Sequence, residues 1–289
     1  MLGRQRVLLA LLHSAGGQAS HFEVTKWAFL LRHDSESRGG SAFYDFVPYS
    51  YGPFSFSLVQ EATALVRDGL IEEVDKHHWR LLPAGATQVD ALADPVRTDI
   101  QAIVRRHRVG TSTALARYVY DRFPWYSMQS ATDPRVERPR ASVAIFTVGY
   151  EGLSVEAFLN GLLREGIECV VDVRNNPVSR RFGFHRSTLA RLCDRLGFEY
   201  EHLPELGIEP EARNGLRSAS DYDTLFDDYE HRRLAGATGA IDRAIRLIQT
   251  KAAVLMCMER KATACHRLRL ARRVSTQLPL PVRHLEIHP

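Results

Sequence analysis

Val143-Ala144-Ile145-Phe146-Thr147-Val148 runs directly into Gly149-Tyr150-Glu151-Gly152, and the reading of this stretch decides the fold. An unbroken apolar, β-rich run is what a strand buried on both faces needs. The two glycines behind it permit a tight turn. The same alternation then continues downstream. Ser154–Leu163 reads as a helix, Cys169–Val173 as a second strand, and Ser187–Leu196 as a helix ended by Gly197. Tyr200–Leu203 is a short third strand, and 220–250 is mostly helical with a break near Gly236–Gly239. Ala253–Met258 is a fourth strand, Cys265–Ser275 a helix and Val282–Ile287 a fifth strand. Strands and helices in strict alternation predict an α/β fold, a Rossmann-like and mainly parallel five-stranded sheet covered by helices.

Upstream the pattern is different. Residues 4–15 read as a short helix stopped by Gly16-Gly17, and Ser20 with Glu23 forms a capping-box signal for the next helix. Tyr49-Ser50-Tyr51-Gly52-Pro53-Phe54 is a turn, followed by a helix over roughly 55–68 that Gly69 closes. Leu70–Val74 and Trp79–Leu82 are two short strands around a polar turn. Helix, helix, helix and a two-stranded wing is a winged-helix-like order. Residues 83–128 are helical again, with Asp94-Pro95 and Gly110-Thr111-Ser112 as helix starts. Ser127–Ser142 is polar, carries two prolines and has no periodicity. The division expected is 1–128 as a mostly helical winged-helix-like domain, 129–142 as a linker, and 143–289 as the α/β domain.

Composition narrows the class. With 289 residues, 45% hydrophobic and 25% charged, the chain has enough apolar material for ordinary globular cores. A net charge of +4 is too small to announce a nucleic-acid partner. The basic residues are nearly all Arg; Lys26, Lys76, Lys251 and Lys261 are the lysines. No apolar run approaches membrane-spanning length, so no membrane association is expected. Val7–Leu12 lacks a signal-peptide pattern, which leads to a cytoplasmic expectation. Cys169, Cys193, Cys257 and Cys265 are too few for a disulfide framework.

In an open parallel sheet, ligands bind outside the carboxyl ends of the strands. The unusual residues of the α/β domain fall there. The first strand exits through Gly149 and Tyr150, the second through Asp172 and Arg174 toward Ser179, and the fourth through Cys257 and Glu259. The next helix opens with Cys265, His266 and Arg267. Asp172, Cys257, Glu259, Cys265 and His266 are the candidate catalytic residues, because carboxylates, thiols and imidazole supply acid–base and nucleophilic capacity. Gly149, Tyr150, Arg174, Ser179 and Arg267 are the candidate substrate-binding residues, the arginines as clamps for phosphate or carboxylate. Arg174 is equally suited to a buried ion pair with Asp172 or Glu259. A helix N-terminus beside Arg267 and His266 is expected to depress the Cys265 thiol. The spacing Cys-x7-Cys-His is no standard zinc spacing, so no metal is assigned, although Cys257, Cys265 and His266 are all zinc-ligand types. The first turn is not Gly-x-Gly-x-x-Gly and names no cofactor.

Four segments in order carry a family resemblance: Thr147–Gly152, Asp172-Val173-Arg174 with Pro177 and Ser179, Leu203-Pro204-Glu205-Leu206-Gly207, and Cys257-x-Glu259 followed by Cys265-His266-Arg267. Over about residues 143–289 the chain resembles the bacterial domain of unknown function 488 family. The resemblance implies a Rossmann-like fold with a cysteine-containing site and no settled activity. Through Tyr49–Phe54 and the following helix and wing, residues 1–128 resemble winged-helix regions found with antitoxin-type proteins. They are also similar to N-terminal extensions on some members of the same family.

Two functions of different class follow. One is an enzyme acting on a nucleotide, nucleic acid or other anionic small molecule at the strand ends. The other is a DNA- or protein-binding regulator of antitoxin type with a ligand-sensing α/β domain. In either, the N-terminal domain is expected to meet a nucleic-acid or protein partner, a second copy of the chain included as a homodimer.

Overall fold

The structure is a computed structural model and describes residues 1–108 and 110–288, the side chain of Ala219 excepted. The chain divides into two compact units, Met1–Glu137 and Arg138–Pro289. Among the described residues no helix is long and apolar enough to cross a membrane.

The first unit is built around α1 (Gly3–Ser14), whose run Val7–Leu12 is buried on every side. A helix apolar all round belongs at the centre of a bundle. β1 (Gln18–Ser20) leads into α2 (His21–Asp34). The capping box is present: the Ser20 hydroxyl accepts from Glu23 N, and the Glu23 carboxylate accepts from Ser20 N. β2 (Val47–Tyr49) and β3 (Gly52–Phe54) form a hairpin, followed by α3 (Phe56–Arg67), β4 (Ile71–Asp75) and β5 (His78–Leu81). β1, β5 and β4 make an antiparallel sheet in that order. The strands β1, β2 and β3 are three residues each and were not anticipated from sequence. α4 (Pro83–Ala86), α5 (Asp94–His107) and α6 (Ser112–Arg122) complete the unit. Phe29 sits among Phe46, Phe123 and Tyr126, with ring centroids 5.3, 5.1 and 4.5 Å away.

The second unit is the α/β unit. β6 (Ile145–Gly149), α7 (Val155–Arg164), β7 (Cys169–Asp172), α8 (Arg186–Arg195), β8 (Glu199–His202), α9 (Ala219–Asp228), α10 (Leu234–Gly236), α11 (Thr238–Thr250), β9 (Ala253–Cys257), α12 (Arg267–Gln277) and β10 (Val282–Leu285) follow in turn. Five strands pair in the order β10-β6-β9-β7-β8, every neighbouring pair parallel. The inner strands β6, β7 and β9 are buried at every residue, and the edge strands β8 and β10 are not. Unbroken apolar runs at the centre are what a sheet covered on both faces requires.

The strand order fixes where a crevice opens. Connections running from β6 to β8 move one way across the sheet, and those from β8 to β10 move back. Right-handed crossovers therefore put α7 and α8 on one face and α11 and α12 on the other. The apolar cluster on the second face contains Cys169, Val171, Val173, Ala253, Leu255 and Cys257 packed under Ile241 and Ile248 of α11 and Leu270 and Val274 of α12. β9 thus lies between two strands whose outgoing chains leave to the opposite face. A ligand crevice forms where neighbouring strands diverge in this way, and the exit of β9 is flanked by two such points.

Within the stretch expected to be a linker, the two ends attach to different units. Arg135 pairs with Asp121 and Asp133, while Arg138 donates to the carbonyls of Ile167, Leu196 and Gly197.

Candidate functional site

β9 ends at Cys257, and the loop 258–266 turns back across the strand ends to the start of α12. Two contacts hold this loop. Arg267, 1% exposed, donates to the carbonyls of Glu259 and Arg260. On the other side, Glu151 N donates to Met258 O at 2.9 Å, and Arg260 N donates to the Glu151 carboxylate at 3.0 Å. Gly149 makes the close approach possible, since a Cβ there would lie 1.9 Å from the Glu259 carbonyl oxygen. Any side chain at 149 would push the loop off the sheet.

The loop gathers three ligand-type groups. Cys257, Cys265 and His266 are buried, and one donor atom from each lies within 4.8 Å of the others. His266 Nδ1 stands 3.8 Å from both thiol sulfurs. Its Nε2 lies 3.3 Å from Val173 O. A carbonyl only accepts, so Nε2 is the donor in that contact and Nδ1 is the ring nitrogen that faces the two thiols. The Tyr229 ring packs edge-on against the imidazole at 5.2 Å, and its hydroxyl donates to Leu206 O at 2.7 Å.

Glu259 borders this group. The Cys257 thiol donates to Glu259 Oε2 at 3.1 Å, and Arg213 Nη1 donates to Oε1 at 2.9 Å. Burial pushes the Glu259 carboxyl up. Hydrogen bonds from Cys265, its own backbone and Cys257, with the Arg213 charge, outweigh this and hold it at about 2. Cys265 goes the other way. Burial, then its hydrogen bond with Cys257 and the repulsion of that thiol's negative form, push it well above the ordinary thiol range; His266 offsets only part. The expected depression of Cys265 is therefore corrected: desolvation outweighs the helix end.

The structure does not assemble the expected single cleft. Side chains alternate along a strand, so Asp172 points away from the face that carries Val171, Val173 and Cys257. On its own face Asp172 is fully buried and receives Arg174 Nε at 2.8 Å and Arg174 Nη2 at 2.5 Å. Tyr200 OH donates to the same carboxylate at 2.7 Å. Arg174 Nη1 donates to Tyr150 OH at 3.0 Å and Phe184 O at 2.9 Å, and Tyr150 stacks on Phe184 at 4.0 Å. His202 Nε2 donates to Arg174 O at 2.8 Å. Every nitrogen of the Arg174 guanidinium is thus engaged inside the protein. Arg174 and Tyr150 stabilise the exits of β7 and β6 rather than presenting donors to a ligand. Arg267 is likewise occupied with backbone carbonyls. Ser179, partly buried, accepts from Arg181 N at 3.1 Å and joins neither group. Cys169 and Cys193 are buried packing thiols, Cys169 pushed up to about 12 by burial first and then by Glu199.

Tyr229, Arg213 and Tyr200 were not singled out from sequence. Tyr200 and His202 share one face of β8 by simple alternation, a signal the sequence does contain. Tyr229 lies in a π-turn (Tyr229–Arg233) between helices, and Arg213 in a short 3-10 turn. Neither carries a pattern.

The family model described as Domain of unknown function DUF488 matches residues 154–274. That segment contains Asp172, Arg174, Arg213, Tyr229 and the whole Cys257–His266 group. No curated protein and no solved structure matches the chain.

Proposed function

We propose that the α/β unit is a metal-dependent enzyme acting on an anionic substrate, with Cys257, Cys265 and His266 as the ligands of a zinc-type divalent cation. The observation that supports it is the placement of His266 Nδ1, 3.8 Å from each of two thiols, with Nε2 turned to Val173 O. Zn–S bonds of about 2.3 Å and Zn–N bonds of about 2.0–2.1 Å separate neighbouring ligands of a tetrahedron by about 3.6–3.8 Å. The carbonyl behind the imidazole is the usual outer support of a metal-binding histidine. Three protein ligands leave a fourth position free, as catalytic zinc sites do. Glu259, ionised and steadied by Arg213, would place a negative charge beside the cation, and the thiol protons would be released to solvent. When bound, the cation supplies Lewis acidity at the exit of β9. The loop joining the two cysteines carries exposed Arg260 and Lys261, which suit a phosphate- or carboxylate-bearing substrate such as a nucleotide or nucleic acid. Free thiols in all four cysteines fit a reducing, cytoplasmic compartment.

Metal analysis of the purified protein tests this. About one equivalent of zinc per chain is expected, lost in Cys257→Ser and Cys265→Ser and kept in Cys193→Ser. Metal absent from the wild type, even after zinc is added and the excess removed, rejects the reading.

The burial of all three ligands favours a second reading, a structural cation in a regulator that binds DNA or protein through its N-terminal unit. The continuous core of the α/β unit argues against a need for such a staple, which is the device of small domains. Chelation decides between them. An enzyme centre leaves the fold and melting of the protein nearly intact, whereas a structural cation takes cooperative unfolding with it.

A further inference from the structure

The first unit contains a buried amine that the proposed centre does not use. Lys26, on α2, is 2% exposed. Its Nζ donates to Pro53 O at 3.1 Å and lies 4.7 Å from the centroid of the Phe22 ring. Among the described residues no carboxylate is within ion-pair distance of it. Burying an ammonium without an anion is costly, and a leucine or methionine would fill the same space without that cost. The choice of lysine is also unusual in this chain, which otherwise uses arginine for nearly all its positive charge.

Lys26 lines a cavity of about 390 Å³. Phe22, Tyr49, Tyr51, Phe54 and Val59 form much of its wall, and no acidic residue lines it. Tyr49 and Phe54 pack at 5.1 Å across the β2–β3 hairpin, and Tyr51 at the hairpin tip is 64% exposed. The hairpin is held in place by Gly52, whose φ is +92° and whose Cβ would lie 2.7 Å from the Tyr120 ring. The volume falls within the few-hundred-Å³ range of small-molecule sites, which pair apolar walls with a few placed polar groups.

We propose that this cavity is a ligand site for a small planar aromatic carboxylate, with Lys26 supplying the counter-charge and the Tyr49–Phe54 hairpin the stacking wall. Charge complementarity argues for this occupant: the wall offers aromatic surface, one buried cation and no anion. Burial alone brings the Lys26 amine down to about 7, as befits an ammonium that lacks a partner. A carboxylate entering the cavity provides that partner. The N-terminal unit would then sense a metabolite independently of the cation centre.

Calorimetric titration of the full chain with 2-naphthoate tests the proposal, with uncharged 2-naphthylmethanol as the comparison. Saturable binding of one naphthoate is expected, weakened at least roughly tenfold in Lys26→Met. Naphthylmethanol should bind the wild type more weakly than naphthoate and be indifferent to that substitution. Val59→Trp, which fills the cavity and leaves Lys26 in place, should abolish naphthoate binding; far-UV spectra and melting confirm that both variants fold. Equal naphthoate affinity in wild type and Lys26→Met overturns the proposal. So does parity of the two probes on the wild type, or failure of naphthoate to saturate it at millimolar concentration.

Discussion

Asp172 and Arg174 are two residues apart, fully or almost fully buried, and joined by two side-chain hydrogen bonds with Tyr150 and Tyr200 alongside. Such a pair adds little to stability in itself, because desolvation offsets the attraction, but breaking it strands a buried charge. Asp172→Asn should therefore cost about 3–5 kcal/mol, read by urea denaturation of the folded chain. The double change Asp172→Leu with Arg174→Met should cost less than the single one. A single-variant loss below about 1 kcal/mol would mean that the guanidinium finds water or another partner. The same pair shows what was readable at this scale. Asp172, Arg174, Cys257 and Glu259 were named from their positions at strand ends, whereas Tyr200 and Arg213, which hold two of them, were not. What the strand-end argument missed was parity. Asp172 and Val173 point to opposite faces, so Asp172 with Arg174 belongs to one side and Cys257 with His266 to the other. The period of two was available in the sequence. The balance of burial against the helix end at Cys265 was not, because it depends on how completely the loop 258–266 covers the thiol.

Among the elements, α3 occupies the place in the chain order where a winged helix would carry its recognition helix. Its charged residues are Glu61 and Arg67, and Glu61 is already engaged by Arg4 and Tyr44. Non-specific DNA affinity comes mainly from lysines and arginines neutralising phosphates. α3 is thus poorly equipped for that contact. A fragment covering residues 1–137 should bind duplex DNA weakly, with a shallow dependence on salt. Tight binding that falls steeply with salt would restore a DNA-directed role. Elements with a long signal were legible: β6, β7 and β9 from unbroken apolar runs, α2 from Ser20 and Glu23, and α5 from Asp94-Pro95. The strands β1, β2 and β3 escaped because three residues cannot display a period. They exist because tertiary pairing supplies partners, β5 for β1 and each other for β2 and β3.

For the molecule as a whole, topology concentrates the chemistry. The parallel order β10-β6-β9-β7-β8 puts β9 between strands that diverge from it, and the one loop leaving β9 carries Cys257, Glu259, Cys265 and His266. The alternation of strands and helices made the sheet legible. Its order was not, since strand neighbours depend on crossovers that leave no mark in any local pattern. The central claim, a soft-ligand cation centre at this exit, is tested most directly by X-ray absorption at the zinc edge of the zinc-loaded chain. Two sulfur scatterers at about 2.3 Å and nitrogen or oxygen at about 2.0–2.1 Å are expected. Zinc, and with it the two-sulfur shell, should be lost in Cys257→Ser. A shell of nitrogen and oxygen alone, or a two-sulfur shell unchanged in Cys257→Ser, would contradict it.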